Sequence, residues 1–237
     1  MSRDKQQGFT LIELLLAMTF ISMLLLAIAL TILQISSIYN RGMIVKEVNQ
    51  VGRGFSSELQ NGVSASAPFS IDQAAGSRYF QQGNWGGRLC LGQYSYIWNY
   101  GSVLQPGSSS TRNLYTGESS LVSTGSIRFV KVYDTAASYC TNLNQTVNPA
   151  NATELLNVGD HSLAVHNFSI ATYATADDTR TGQRVYMITF TVGTNESATL
   201  NRTTSDTTCK PPGALGADLS YCVAQRFSIV VRAGNRQ

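Results

Sequence analysis

The chain divides by hydrophobic pattern into three stretches. From Phe9 to Leu33 it reads FTLIELLLAMTFISMLLLAIALTIL, apolar all round, with Glu13 as its one charge. About 20 such residues at 1.5 Å rise cross a hydrocarbon layer of roughly 30 Å, so the run can span a membrane. Next, Ile44, Val48, Val51, Phe55, Leu59 and Val63 recur at steps of three and four, which makes one apolar stripe along a helix. Lys46, Asn49, Gln50, Arg53 and Ser57 take the other side. The stripe predicts a packing face, and Asn61, Gly62 and the later Pro68 predict the helix end. Gly42, Gly52 and Gly54 each weaken the helix by up to about 1 kcal/mol relative to Ala, which predicts bending near them.

Beyond residue 64 the period changes to that of strands. RLCLGQYSYIWNYGSVL reads as a short hairpin and LQPGSSSTRNLYTGESS as an exposed connection. In SIRFVKVY, Ile127, Phe129 and Tyr133 fall on one side, with Lys131 breaking the pattern. SLAVHNFSIATY sets Phe168 and Ile170 on one face. VYMITFTV does so with Tyr186, Ile188, Phe190 and Val192, and RFSIVVR with Phe227, Ile229 and Val231. A long N-terminal helix followed by antiparallel strands predicts an α+β domain in which the sheet covers the helix's apolar stripe.

Composition narrows the class. Charged residues are 13% of the chain, against roughly 25% in ordinary soluble domains. The formal net charge is +3, and the basic residues are scattered singly, so no nucleic-acid footprint stands out. Cys90, Cys140, Cys209 and Cys222 all lie beyond the apolar run, which favours disulfides in an extracytoplasmic domain. Pairing Cys209 with Cys222 would close the Pro/Gly-rich loop CKPPGALGADLSYC and leave Cys90 with Cys140, although four cysteines allow three connectivities. Zinc fits poorly, because no CxxC pair occurs and His161 and His166 point to opposite faces of one strand.

Glu13 is the anomaly in the apolar run. A carboxylate inside a membrane helix costs roughly 2.5 to 3.5 kcal/mol unless it is paired or neutralised. No residue from Phe9 to Gln34 is basic, so a cationic partner must come from another chain or from a newly exposed α-amino group. A cleaved secretory signal is disfavoured by the length of the run and by the absence of a small-x-small site after Leu33. Arg3 and Lys5 favour a cytoplasmic N-terminus.

The string GFTLIELLLA resembles the N-terminal signature of type IV prepilins and of the pseudopilins of type II secretion. That resemblance implies cleavage after Gly8 by a prepilin peptidase, N-methylation of Phe9, and use of Glu13 in assembly through a neighbouring subunit's Phe9 ammonium. It implies residues 1–8 as leader, 9–33 as the membrane-spanning and filament-core helix, 34–63 as its amphipathic continuation, and 64–237 as a β-rich extracytoplasmic domain. The implied partners are the peptidase, other pilin or pseudopilin subunits, the membrane and an assembly platform protein. The domain size and the ending FSIVVRAGNR are similar to W-type minor pilins and J-type minor pseudopilins. No cofactor is implied.

Catalytic strings are absent: no P-loop, GxSxG, HExxH or EF-hand pattern occurs. Asp177 and Asp178 are too few for a calcium loop and read as a solvated turn. Tyr94, Tyr96, Trp98 and Tyr100 alternate along YSYIWNY, either packed across strands or exposed as a stacking platform for carbohydrate or DNA on a displayed adhesin.

Overall fold

The computed structural model describes residues 10–72, 77–82, 86–99, 129–141, 151–156, 163–173, 183–194, 196, 198–202 and 207–234. Its first element is a single helix, α1, from Leu11 to Ser64. Thr10 begins it as an N-cap with extended backbone, and its hydroxyl accepts the Glu13 N–H. At the far end the Ala65 N–H returns to the Asn61 carbonyl, two residues past the predicted stop, and Pro68 prevents continuation.

After α1 come β1 (Tyr79–Gln82), β2 (Gly86–Leu91), β3 (Tyr94–Asn99), β4 (Phe129–Tyr133), a short α2 (Ser138–Thr141), β5 (Ala152–Glu154), β6 (Leu163–Thr172), β7 (Arg184–Thr194), β8 (Leu200–Arg202), β9 (Thr207–Cys209) and β10 (Ala224–Ala233). The strands form an antiparallel five-stranded sheet ordered β1-β2-β3-β4-β5, a three-stranded sheet ordered β10-β7-β6, and the ribbon β8-β9. The expected α+β layout is present, but two sheets cover the helix where one was expected.

Alternation along β7 explains its central place. Tyr186, Ile188, Phe190 and Val192 are all fully buried on the face turned to α1. Register stacks them into cross-strand rows: Phe168, Phe190 and Phe227 lie side by side, followed by Ile170, Ile188 and Ile229. A register shift between Val165 and Asn167 lets both Val165 and Phe168 face the core on either side of His166. Phe55 joins the two sheets, edge-on to Phe129 at 4.5 Å and to Phe190 at 4.8 Å. With Ile44, Val48, Val51, Leu59 and Val63 it lies in one buried cluster.

The five-stranded sheet is buried on both faces, which alternation alone did not signal. Phe129, Trp98 and Tyr96 face α1, while Ile97, Val130 and Val132 pack with Cys90, Tyr139 and Cys140 in a second cluster. Tyr133 is exposed and does not join Phe129 in the core. It closes edge-to-face on Tyr94 at 5.8 Å, at the rim where the strand ends. Ile127 lies outside the described residues.

Candidate functional site

The N-terminal half of α1 carries its apolar surface uncovered. Every side chain from Leu11 to Leu33 is exposed, including Phe20, Leu26 and Leu33. The helix is long and apolar enough there to cross a membrane. Its hydroxyls are satisfied from within: Thr19 donates to Leu16 O, Ser22 to Met18 O, and Thr31 to Ala27 O and Ile28 O. Such back-bonding satisfies these hydroxyl donors in a lipid environment.

Glu13 takes part in a reciprocal cap. Its Oε2 accepts from the Thr10 N–H at 3.0 Å and from the Thr10 hydroxyl at 2.8 Å, while the Thr10 Oγ1 accepts the Glu13 N–H. The carboxylate thus has neutral donors in its own chain, beside the positive end of the helix dipole. Sequence reasoning looked only for a cation and passed over these donors, although T-x-x-E at residues 10–13 is the spacing of a capping box. Gly8 and Phe9 lie outside the described residues.

The second half of α1 is fastened to the sheets by more than its stripe. Lys131 Nζ lies 2.7 Å from Glu58 Oε1, and the Tyr96 hydroxyl donates to the same oxygen at 2.7 Å. Lys131 also sits 4.1 Å from the Tyr94 ring centroid. Burial pushes the Glu58 carboxyl up, but the hydrogen bonds from Lys131 and Tyr96 outweigh it and leave the group below its ordinary value. Burial, then the bond to Glu58, pushes the Tyr96 phenol up. Lys131 interrupts the apolar alternation of β4 because it is the cation of this clasp; the interruption was the available signal.

Close approach explains two helix glycines. A Cβ on Gly52 would fall within the ring of Phe227, and one on Gly62 would lie 2.7 Å from the Tyr96 hydroxyl oxygen. Gly42 and Gly54 have nothing within 4 Å of that position. The helix runs unbroken through all of them, and Gly52 serves close contact with Phe227.

Disulfides join Cys90 to Cys140 and Cys209 to Cys222. Beside the first, Asp134 accepts from the Ser95 hydroxyl, from both the N–H and hydroxyl of Ser138, and from the Tyr139 N–H, which holds α2 against the sheet. Burial raises the Asp134 carboxyl, and these donors together bring it below its usual range. The exposed aromatic platform is not formed: Trp98 and Tyr96 are buried, with Trp98 stacked on Phe129 at 5.2 Å, because both faces of β3 are covered. Tyr100 lies outside the described residues, as do His161, Asp177 and Asp178. His166 is buried, its Nε2 lying 2.9 Å from the Thr194 carbonyl oxygen. Among the described residues no cluster of three His, Cys, Asp or Glu side chains could hold a metal ion.

Residues 3–33 match the family model described as the prokaryotic N-terminal methylation motif. No curated protein and no solved structure matches the chain. The motif implies a type IV pilin-like or pseudopilin-like subunit, processed by a prepilin peptidase and assembled with other such subunits. It points to a structural subunit rather than an enzyme. The fold agrees with a pilin-like layout, and the exposed apolar helix fits a membrane-anchored precursor.

Proposed function

We propose that the chain is a minor subunit of a type IV pilus or pilus-like filament. Residues 1–8 form a leader cut after Gly8, and Phe9 becomes the methylated first residue. Residues 9–33 cross the membrane and later pack in the filament core, 34–63 continue the helix, and 64–237 form the extracytoplasmic domain. Glu13 then exchanges its Thr10 cap for the Phe9 ammonium of a neighbouring subunit.

The observation that carries this reading is the division of α1. Its second half is covered by its own domain from Ile44 to Val63, whereas its first half exposes about six turns of apolar side chains around one carboxylate. A carboxylate in an anchoring helix carries an insertion cost that its Thr10 cap offsets only in part, which supports a further use for it in assembly. The minor-subunit assignment rests on domain size and the FSIVVRAGNR ending.

The same ending supports a second reading, a minor pseudopilin of a type II secretion filament. Genomic neighbours separate the two: a secretin with secreted hydrolases favours the pseudopilin, and retraction ATPases with major pilins favour the pilus. An adhesive or DNA-binding display role loses its aromatic platform to the core.

Intact mass and N-terminal sequencing of the chain from its native membrane or shed filaments test the proposal. A chain that starts at methylated Phe9 is expected. One that retains Met1, or is cut after the apolar run, would overturn it.

A further inference from the structure

β10 is an edge strand of the three-stranded sheet, and the direction of its backbone groups can be read from its two ends. At the start the Val223 carbonyl accepts the Thr194 N–H and so faces β7. At the far end the Gly234 N–H turns away from β7 and donates to Ser66 O at 2.9 Å. Successive residues of a strand present their N–H and C=O to alternate sides, so the odd-numbered residues from 225 to 233 face β7. Arg226, Ser228, Val230 and Arg232 turn theirs outward, and among the described residues no backbone or side-chain group bonds to them there. The chain at Ser66 closes the edge only beyond Arg232.

An open edge invites another strand, and native chains usually blunt it with a proline, a bulge or a short length. β10 has none of these: it runs 10 residues, contains no proline, and pairs with β7 without a register shift. The opposite edge of the sheet is met within the chain, where Gln81 Nε2 on β1 donates to Phe168 O on β6 at 2.7 Å. At the edge of the five-stranded sheet, β5 has only 3 residues. What β10 carries is charge on its outward face. Arg226 and Arg232 are exposed at the two ends of the open stretch, with Ser228 and Val230, the latter 56% exposed, between them. Arg232 donates from Nη1 to Gln183 Oε1 at 3.3 Å, which engages only one of its nitrogens. Among the described residues neither arginine forms an ion pair with a carboxylate.

We propose that the free edge of β10, from Arg226 to Arg232, is a docking site for an extended acidic segment of a different protein chain, which adds to the sheet as a fourth strand. The occupant follows from what the edge presents. Its outward N–H and C=O groups repeat every second residue over about 20 Å, which is the spacing of another strand's own groups. Two arginines six positions apart on one face select acidic side chains at the same spacing. Val230, paired with the exposed Met187 of β7, selects an apolar side chain between them. A second copy fits badly. Antiparallel self-pairing over the whole stretch sets Arg226 against Arg232 twice, and like charges directly opposite destabilise a sheet. The arginines thus keep copies of this chain apart while admitting an acidic strand. The site does not depend on how α1 is used.

A synthetic peptide, Glu-Thr-Val-Thr-Val-Thr-Glu with a fluorophore on a glycine linker, tests this by anisotropy against the detergent-solubilised full chain. In either strand direction it sets acids at both ends of one face and valines between them. Binding is expected, with hydrogen exchange slowed in β10, and the same peptide with lysines at its ends should not bind. Val230→Pro removes one outward N–H and no bond to β7, so the fold should be kept. Its binding should be about tenfold weaker. Arg226→Glu with Arg232→Glu alters only exposed side chains and should transfer the preference to the lysine-ended peptide. No binding of the acidic peptide at about millimolar concentration, or equal binding of both peptides, would overturn the proposal. Full binding by Val230→Pro would place the peptide away from the edge and overturn it too. Should Val230→Pro not fold, the charge-reversed variant decides: a retained preference for the acidic peptide sinks the site. Self-association of the chain in sedimentation, abolished by Val230→Pro, would assign the edge to a second copy and overturn the acidic partner.

Discussion

The ring of Phe227 occupies the space that a side chain at Gly52 would need. This contact seats β10 on α1, and with the Gly234 to Ser66 hydrogen bond it aligns strand and helix along most of the strand's length. Gly52→Ala should therefore destabilise the domain by about 1 to 3 kcal/mol through overpacking, less the gain of up to about 1 kcal/mol in helix propensity. Gly54→Ala, with open space at the same position, should stabilise by up to about 1 kcal/mol. Opposite shifts in the urea midpoint of the detergent-solubilised chain are the expected outcome. Equal shifts for both would mean that Phe227 does not bear on Gly52.

Acid should loosen the sheet from α1 through Glu58, and α2 from the sheet through Asp134. Both carboxyls are held below their ordinary values of 4.5 and 3.8, so the unfolded chain binds protons more readily than the folded one across that window. Their contribution is fully present above those ordinary values and is lost as pH falls through the lower, folded ones. Thermal unfolding followed by circular dichroism should be flat from neutrality to about pH 5 and fall below it. Lys131→Met should lower stability at neutral pH by about 1 kcal/mol, since the pair is partly exposed. It should also shrink the acid-dependent loss that Glu58 contributes. An unchanged acid slope in Lys131→Met would remove Glu58 as its source.

Much of the fold was legible because burial follows period. The stripe from Ile44 to Val63 and the β7 set Tyr186, Ile188, Phe190 and Val192 each repeat at the spacing of the element they belong to. What stayed hidden was partnership between distant segments. Nothing local to Lys131 names Glu58 on the helix, and nothing in YSYIWNY says that Ile97 would be buried as deeply as Trp98. A strand covered on both faces looks half-exposed to a reading based on alternation. The candidate assembly residue was legible for a different reason. One carboxylate in an apolar helix is conspicuous wherever the chain folds, while its Thr10 cap was readable from spacing and overlooked.

The two disulfides should differ in what they hold. Cys90 and Cys140 are 50 residues apart and Cys209 and Cys222 are 13 apart. In the chain-entropy model these closures stabilise by about 4 and about 3 kcal/mol. The first also lies in the small core with Ile97, Val130, Val132 and Tyr139, so Cys90→Ala with Cys140→Ala should cost more stability than Cys209→Ala with Cys222→Ala. Urea unfolding of the two double variants checks the order. The reverse order would show that the second cluster does not depend on its crosslink.

Glu13 and Thr10 give the sharpest test of assembly, because the cap makes two substitutions predict different things. Glu13→Val removes an intramembrane carboxylate, so insertion should be intact or improved by roughly 2.5 to 3.5 kcal/mol on insertion scales. Incorporation into filaments should fail, since the intersubunit partner of the Phe9 ammonium is gone. Thr10→Val leaves the carboxylate but removes the hydroxyl that donates to it at 2.8 Å, keeping the backbone N–H donor at 3.0 Å. A carboxylate released from one of its two donors is freer to leave for a neighbouring ammonium, at the expense of about 1.5 to 3 kcal/mol of hydrogen bonding in the unassembled subunit. Thr10→Val should therefore still assemble, with a smaller steady-state membrane pool, whereas Glu13→Val should accumulate in the membrane. Gly8→Leu should block trimming and leave the untrimmed precursor in the membrane, outside filaments. Immunoblots of sheared filaments and membranes, read beside intact mass, separate the three variants. Normal filament incorporation of Glu13→Val would show that the carboxylate serves only its own helix cap.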